Sequence, residues 1–141
     1  MKHITISEVG PRDGLQSVET TLSTEAKLAW IEAEYAAGVR EIEVGSFVSP
    51  KLLPQMADTE AVVRGAQHLE GLIIAVLVPN VRGFESALRA GAHKISIPLS
   101  LSETHSLKNV RRTHAQMLDE IRSCLKLVEA MPESEKPVFE V

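Results

Sequence analysis

The sequence predicts an α/β fold in which a parallel sheet is flanked by helices. Segments with strand character alternate with helix-like segments along the whole chain. The third strand-like segment, LIIAVLV, is apolar throughout, which is typical of a parallel strand covered on both faces. Repeated strand–helix alternation implies parallel strands joined by right-handed crossovers.

Five segments have the composition of strands. The second alternates, so that Ile42 and Val44 share one face while Glu41 and Glu43 share the other. If Ile42 and Val44 face the helices, Glu43 points to the opposite side of the sheet. The predicted strands are residues 4–9, 40–44, 72–78, 94–98 and 137–141.

Apolar residues three and four positions apart predict four helices between these strands. We expect the first to begin at a cap formed by Ser23 or Thr24, and the second to follow a cap at Asp58. The third stops near Gly91, and the fourth is one long helix ended by Pro132. The apolar stripes are Leu28, Ile31, Tyr35; Val62, Val63, Ala66, Leu69; Phe84, Ala87, Leu88; and Val110, His114, Met117, Ile121, Leu125, Val128.

Two architectures fit this order of elements, an open doubly wound sheet and the TIM (β/α)8 barrel. A complete barrel typically needs about 250 residues, and the chain has 141. The last strand has nothing after it and would leave an unpaired hydrophobic edge, which proteins usually cover. We therefore expect the first four βα units and the start of the fifth strand of a barrel, with residues 1–141 as one amino-terminal half-barrel domain that is apparently truncated.

Composition and charge exclude several partners. The net charge is −4, with no basic stripe to bind a phosphate backbone, so nucleic acid is an unexpected partner. A single cysteine, Cys124, cannot form an internal disulfide. No apolar run approaches the roughly 20 residues of a membrane helix, so we expect no membrane partner and a cytoplasmic location.

The distinctive polar residues follow the predicted strands, where ligands bind in parallel α/β proteins. The first strand runs into GPRDGLQ, in which Arg12 adjoins Asp13 between Gly10 and Gly14, and these glycines would permit a tight turn. Asp13 can offer oxygen ligands to a divalent cation, while Arg12 supplies a fixed positive charge for a developing enolate. The alternative is that both are solvated turn residues. Glu43 favours the first interpretation, because a buried carboxylate needs a partner and Arg12 is within reach.

Longer stretches resemble one known family. The segments EVGPRDGLQ, IEVGSFVSPKLLPQMAD, VLVPNVRGFESALRAGAHKISI and SETHSLKNV are similar, in this order, to 3-hydroxy-3-methylglutaryl-CoA lyase and its relatives in the DRE-TIM metallolyase superfamily. The resemblance spans essentially the whole chain. It implies a divalent-metal-dependent lyase that cleaves a 3-hydroxy-3-methylglutaryl-CoA-like thioester to acetyl-CoA and a 3-keto acid such as acetoacetate.

The resemblance also implies roles for individual residues. Asp13 matches the family's metal ligand for Mg²⁺ or Mn²⁺, and Arg12 matches the arginine that stabilises the enolate. Gln16 and Glu43 match polar residues that line the substrate site, and Ser102 matches a loop residue that is a candidate contact for the acyl-CoA. The family's His-x-His pair, its asparagine ligand and its catalytic cysteine have no match in these residues, so we expect this chain alone to bind metal weakly.

Two alternatives stay open at the level of the sequence. The serine-rich run LSLSETHS after the fourth strand favours considering a Claisen condensing enzyme or aldolase of the same superfamily. The second alternative is a non-catalytic half-barrel that assembles with another half, in which case a homo-oligomer is possible.

Overall fold

The computed structural model describes residues 4–141; residues 1–3 of the predicted domain lie outside it. Within the described residues the fold has five strands and five α-helices. The strands are β1 (Ser7–Glu8), β2 (Glu41–Ser46), β3 (Ile73–Leu77), β4 (Lys94–Ser96) and β5 (Val138–Glu140). The helices are α1 (Thr24–Ala36), α2 (Thr59–Gly65), α3 (Val81–Ala90), α4 (Glu103–Asn109) and α5 (His114–Glu129).

All neighbouring strands pair in parallel, in the order β1-β2-β3-β4-β5. A doubly wound sheet reverses its strand order at a switch point, whereas successive strands of a (β/α)8 barrel lie side by side in chain order. The strand order therefore confirms the barrel architecture, of which the chain supplies the first four βα units and the start of the fifth strand.

The hydrophobic core lies between the sheet and the helices. Alternation along β2 buries Ile42 and Val44 in this core, as predicted. Glu41 and Glu43 contact charged partners instead of the core, Lys94 and Arg12 respectively. The sheet thus has an apolar face toward the helices and a face with charged side chains that corresponds to the interior of a barrel.

The predicted fourth helix corresponds to α5, the longest of the five helices. Its start differs from the apolar stripe, because the chain breaks at residues 110–113 between α4 and α5, so Val110 lies outside the helix. Arg111 adopts a left-handed backbone conformation with φ of 56°, which ends the helical path. Thr113 then begins α5 with a capping box, in which its hydroxyl accepts from the Gln116 amide and the Gln116 side chain accepts from the Thr113 amide. The apolar spacing of Val110 continued the stripe by coincidence.

Of the two caps predicted in the first half of the chain, one is confirmed. The Ser23 hydroxyl accepts a hydrogen bond from the Ala26 amide and begins α1. Asp58 stands at the N-cap position of α2, but its side chain makes no capping hydrogen bond. It pairs with Lys27 and accepts from Thr24 instead.

None of the helices in residues 4–141 is long and apolar enough to cross a membrane.

Candidate active site at the carboxyl ends of the strands

A tight turn directly after β1 carries the paired charges. Residues Gly10–Gly14 form a π-helical turn, a form that is rare and frequent at functional sites. The carbonyl of Val9 accepts from the amides of both Arg12, at 3.1 Å, and Asp13, at 2.7 Å. Pro11 is buried beneath the turn. These bonds fix the backbone from which both charged side chains project.

The backbone angles of this turn do not require its two glycines, contrary to the prediction. Neither Gly10 nor Gly14 has a positive φ. At Gly10 a Cβ atom would lie 2.8 Å from Glu8 Oε1 and 3.0 Å from the Trp30 ring, so a larger residue would have to displace these two side chains. Glu8 Oε1 accepts from the Gly10 amide at 2.6 Å. Nothing lies within 4 Å of a Cβ at Gly14.

Arg12 and Glu43 form an ion pair between the β1 turn and β2. The Nε and Nη2 atoms of Arg12 each lie 2.6 Å from Glu43 Oε2. The side chain of Arg12 is 16% exposed and that of Glu43 is 8% exposed. Because Arg12 is partly accessible while its partner is buried, the guanidinium is held in one place with part of its surface open to a ligand. The predicted contact between these two residues is confirmed.

Asp13 lies beside this pair and faces solvent. Its Oδ1 atom is 2.8 Å from Arg12 Nη1, and its side chain is 64% exposed. Arg12 is therefore shared by two carboxylates, one buried and one accessible. The interpretation of Arg12 as a solvated turn residue is wrong, whereas Asp13 is largely solvated.

Burial raises the pKa of the Glu43 carboxyl, and the nearby charges of Asp13 and Glu140 raise it further. The hydrogen bond and the positive charge of Arg12 act in the opposite direction, but they do not outweigh burial. Glu43 therefore depends on Arg12 to remain ionised in a site that disfavours its charge.

Three further charged residues lie on the same face of the sheet, and their contacts with one another were not anticipated from the sequence. Lys94 Nζ lies 3.0 Å from Glu41 Oε1 and 3.2 Å from Glu140 Oε2, which joins β2, β4 and β5 across the small residue Ala75 of β3. The Glu41 and Glu140 bonds raise the pKa of Lys94, and bonds from Ser96 and Lys94 lower the pKa of Glu140. The alternation of Lys94 with the buried Ile95 was the available signal.

The other candidate residues lie outside the Arg12 cluster. Gln16 is half-buried just after the turn. Ser102 caps α4, its hydroxyl accepting from the His105 amide at 3.3 Å, and the ring Nδ1 of His105 is 2.7 Å from Ser100 Oγ. Ser106, on the same helix, is buried and donates to the Arg112 carbonyl at 2.7 Å.

A catalytic cation needs several ligands, and residues 4–141 contain no group of three His, Cys, Asp or Glu side chains that could hold one. Asp13 offers one accessible carboxylate, which is a ligand type suited to Mg²⁺ or Mn²⁺. The described residues therefore fit such a cation through a single ligand.

The strand order and the position of this cluster place the chain among the (β/α)8-barrel proteins, whose active sites lie at the carboxyl ends of the strands. The model of the HMGL-like family matches residues 3–139, and the chain belongs to this family. The family resemblance seen in the sequence is confirmed.

Individual relatives agree with this assignment. The chain is 42% identical over 117 residues to hydroxymethylglutaryl-CoA lyase YngG of Bacillus subtilis, covering 83% of this chain and 39% of the relative. It is 42% identical over 129 residues to the mitochondrial hydroxymethylglutaryl-CoA lyase of Macaca fascicularis, covering 92% of this chain and 40% of the relative. The chain thus spans about two fifths of the length of these curated relatives.

Solved structures give the same result for the fold. An HMG-CoA lyase from Acinetobacter baumannii in complex with coenzyme A and 3-methylmalate superposes with a TM-score of 0.87 at 36% identity, covering 96% of this chain and 43% of that chain. The HMG-CoA lyase of Bacillus subtilis superposes with a TM-score of 0.84 at 38% identity, covering 92% and 43%.

Proposed function

We propose that the chain contributes the first part of the active site of a divalent-metal-dependent carbon–carbon lyase. The reaction is cleavage of 3-hydroxy-3-methylglutaryl-CoA, or a similar 3-hydroxy-3-alkylglutaryl-CoA, to acetyl-CoA and a 3-keto acid such as acetoacetate. The observation that carries the proposal is the fixed position of Arg12, held by buried Glu43 beside accessible Asp13. Membership of the HMGL-like family supports the reaction class.

Arg12 is the proposed catalytic residue. Cleavage of the carbon–carbon bond leaves negative charge on the thioester oxygen of the acetyl-CoA enolate. A preorganised guanidinium beside that oxygen stabilises the charge as it develops and needs no reorganisation during the reaction. The hydrogen bond that Arg12 donates to Glu43 keeps the guanidinium from turning away, so Glu43 acts on the substrate site through Arg12.

Asp13 is the proposed ligand for Mg²⁺ or Mn²⁺, and the remaining ligands are not among the described residues. When bound, such a cation polarises the substrate's tertiary alcohol and so favours loss of its proton. Asp13 also keeps its own contact with Arg12, at 2.8 Å, which places the two charged groups side by side at the rim.

Gln16 and Ser102 are proposed as substrate-binding residues, with the acyl-CoA as a small-molecule partner. A solved relative contains coenzyme A, which supports a thioester ligand for the family's fold. Ser102 also begins α4, where its hydroxyl accepts from the His105 amide and still has its hydrogen to donate to a ligand. A cytoplasmic location remains part of the proposal.

The test is an assay of the protein at its natural length with Mg²⁺ and 3-hydroxy-3-methylglutaryl-CoA, in which release of acetyl-CoA is followed. We expect Arg12→Ala to lower kcat by about 10²–10³-fold, the usual effect of removing one preorganised donor. Arg122→Ala is the matched control, because Arg122 is 66% exposed on α5 and pairs only locally with Asp119.

Absence of acetyl-CoA release from the unaltered protein would contradict the proposal. An equal loss of kcat in Arg12→Ala and Arg122→Ala would contradict the assignment of Arg12 as the catalytic residue. Incubation of the same preparation with acetyl-CoA and 2-oxo acids tests the alternative of a condensing enzyme, since product formation there and not in the cleavage assay would favour it.

A further inference from the structure

Lys27 is a buried lysine on the first turns of α1. The residue is 2% exposed and is among the large fully buried side chains of the described residues. Its Nζ atom donates to the Gln55 carbonyl at 2.5 Å and pairs with the Asp58 carboxylate. Asp58 Oδ2 in turn accepts from the Thr24 hydroxyl at 2.8 Å. The ammonium thus has two acceptors, and each oxygen of the Asp58 carboxylate accepts a hydrogen bond.

The cost of burying an ammonium group argues against a role in stability alone. Apolar residues of similar volume often replace buried ion pairs with no loss of stability. An ion pair does, however, require its partners to adopt one geometry, whereas apolar contacts allow several. Lys27 therefore fixes the position of the segment that it contacts, which is the connection between β2 and α2.

This connection is tied in turn to the chain around the candidate active site. The Gln55 side chain donates to the Val18 carbonyl at 2.6 Å, which joins it to the segment after the Arg12 turn. Next to Asp58, the Thr59 hydroxyl lies 2.8 Å from the Met56 carbonyl and 3.1 Å from the Ser46 carbonyl.

Thr59 also packs directly against β2. A Cβ atom at Gly45 would lie 2.6 Å from Thr59 Oγ1, so the Thr59 side chain occupies the space that a larger residue at position 45 would need. Gly45 lies at an irregularity in the register of β2, between Glu43 and Gly45. Such bulges redirect neighbouring side chains. The register of β2 beside Glu43 therefore depends on where Thr59 sits.

We propose that Lys27 is a positioning residue for the candidate active site. Its bonds to Gln55 and Asp58 fix the start of α2, and Thr59 transmits that position to the β2 bulge and so to Glu43. Glu43 then holds Arg12 at 2.6 Å. The link from Glu43 to catalysis rests on the proposed function, whereas the link from Lys27 to the β2 bulge does not.

Hydrogen exchange of the amides tests the structural link. Four amides of the connection are hydrogen-bonded within it, those of Leu52, Leu53, Met56 and Ala57. In Lys27→Met we expect them to exchange at least about tenfold faster, while the amides of β3 and β4 change less than about threefold. Lys126→Met is the control, because Lys126 is an exposed lysine on α5.

Uniform acceleration of all amides, or the same rates in both variants, would overturn the proposal. Asp58→Asn provides a milder variant, which keeps a side chain of the same size and weakens the pair. It should show the same local pattern at smaller amplitude even if Lys27→Met does not fold.

Kinetics of the natural-length protein test the second link. In Lys27→Met we expect kcat to fall about tenfold with KM changed less than about threefold, because Arg12 acts on the transition state. Lys27→Arg, which keeps the charge, should recover part of kcat. If the amides of the connection exchange faster in Lys27→Met while kcat is unchanged, then Lys27 does not act on catalysis through Glu43. That result would contradict the positioning role. If the unaltered protein has no lyase activity, the exchange result still decides the structural link.

Discussion

Arg12 donates to a single oxygen of Glu43 through two nitrogens, Nε and Nη2, each at 2.6 Å. This contact joins the turn after β1 to the middle of β2. Burial raises the pKa of Glu43 and disfavours its negative charge, whereas the hydrogen bond and positive charge of Arg12 favour it. The pair is therefore an element of both the fold and the candidate site.

Removal of Arg12 should show how far the stability of the fold depends on the ion pair between Arg12 and Glu43. Arg12→Leu leaves a buried carboxylate without its partner, and we expect a loss of about 3 kcal/mol in the free energy of unfolding near neutral pH. The double variant Arg12→Leu/Glu43→Leu should lose less than the sum of the single changes. Urea unfolding of the four proteins gives the coupling energy.

The loss of stability in Arg12→Leu should depend on pH. A carboxyl whose pKa is raised in the folded state is protonated in both states at low pH, where its contribution to stability is fully present. This contribution is lost as the pH rises through the pKa that the group has in the folded state. The penalty should therefore be small near pH 4.5, the ordinary value for Glu, and grow toward pH 8. A penalty that is constant with pH would show that Glu43 is not the group affected.

Residues near one another in sequence allowed the strongest predictions. The alternation of Ile42 and Val44 with Glu43 placed the carboxylate opposite the core, and its need for a partner identified Arg12. The bulge at Gly45 could not be read in this way, because it depends on the contact with Thr59, which arrives from the next helix.

Contacts between distant strands also could not be predicted from the sequence. The bonds of Lys94 with Glu41 and Glu140 require the register of four strands, which no local pattern provides. Lys27 did carry a signal, since it lies four residues before buried Ile31 and so on the same face of α1. A lysine in line with an apolar stripe indicates a buried charge only when the acidic partner of that lysine, here Asp58, is known.

Substitution of Gly45 tests the close approach at the β2 bulge. A Cβ atom there would meet three side-chain atoms of Thr59, at 2.6, 2.8 and 3.1 Å. We expect Gly45→Ala to cost about 1–3 kcal/mol of stability through overpacking. Adding Thr59→Ala should recover part of that loss, because two of the three clashing atoms are removed.

Gly14→Ala is the matched control for this measurement. Its Cβ meets no atom within 4 Å and its φ is not positive, so thermal unfolding should shift little. Equal losses at Gly45 and Gly14 would indicate a general cost of replacing glycine and would contradict the role of Thr59.

Ionisation of the Cys124 thiol should make stability depend on pH in the alkaline range. Burial raises the pKa of its thiol to about 11 from an ordinary value of 9.0. Above pH 9 the thiol ionises in the unfolded chain first, so its contribution to stability is complete below that pH and is lost toward pH 11. The loss amounts to about 2–3 kcal/mol for a shift of this size.

Urea unfolding of the unaltered chain and of Cys124→Ala at pH 8 and pH 10.5 measures this contribution. Alanine lacks the thiol at both pH values, so groups that titrate in both proteins cancel in the comparison. We expect the stability advantage of the unaltered chain to shrink at pH 10.5. An advantage that stays constant or grows would show that the thiol is accessible in the folded state.

Binding of Mn²⁺ tests Asp13 directly in the 141-residue chain. Asp13 and Glu43 share one guanidinium, which leaves a net charge of −1 at this cluster, whereas Asp119 and Arg122 on α5 form a neutral pair at 2.8 Å. Paramagnetic broadening of amide resonances should therefore begin around Asp13 and be weaker around Asp119. A single carboxylate is a poor site, so we expect a Kd above about 1 mM. Asp13→Asn should remove the broadening near the turn and Asp119→Asn should not; equal broadening at both aspartates would contradict the assignment of Asp13 as the ligand.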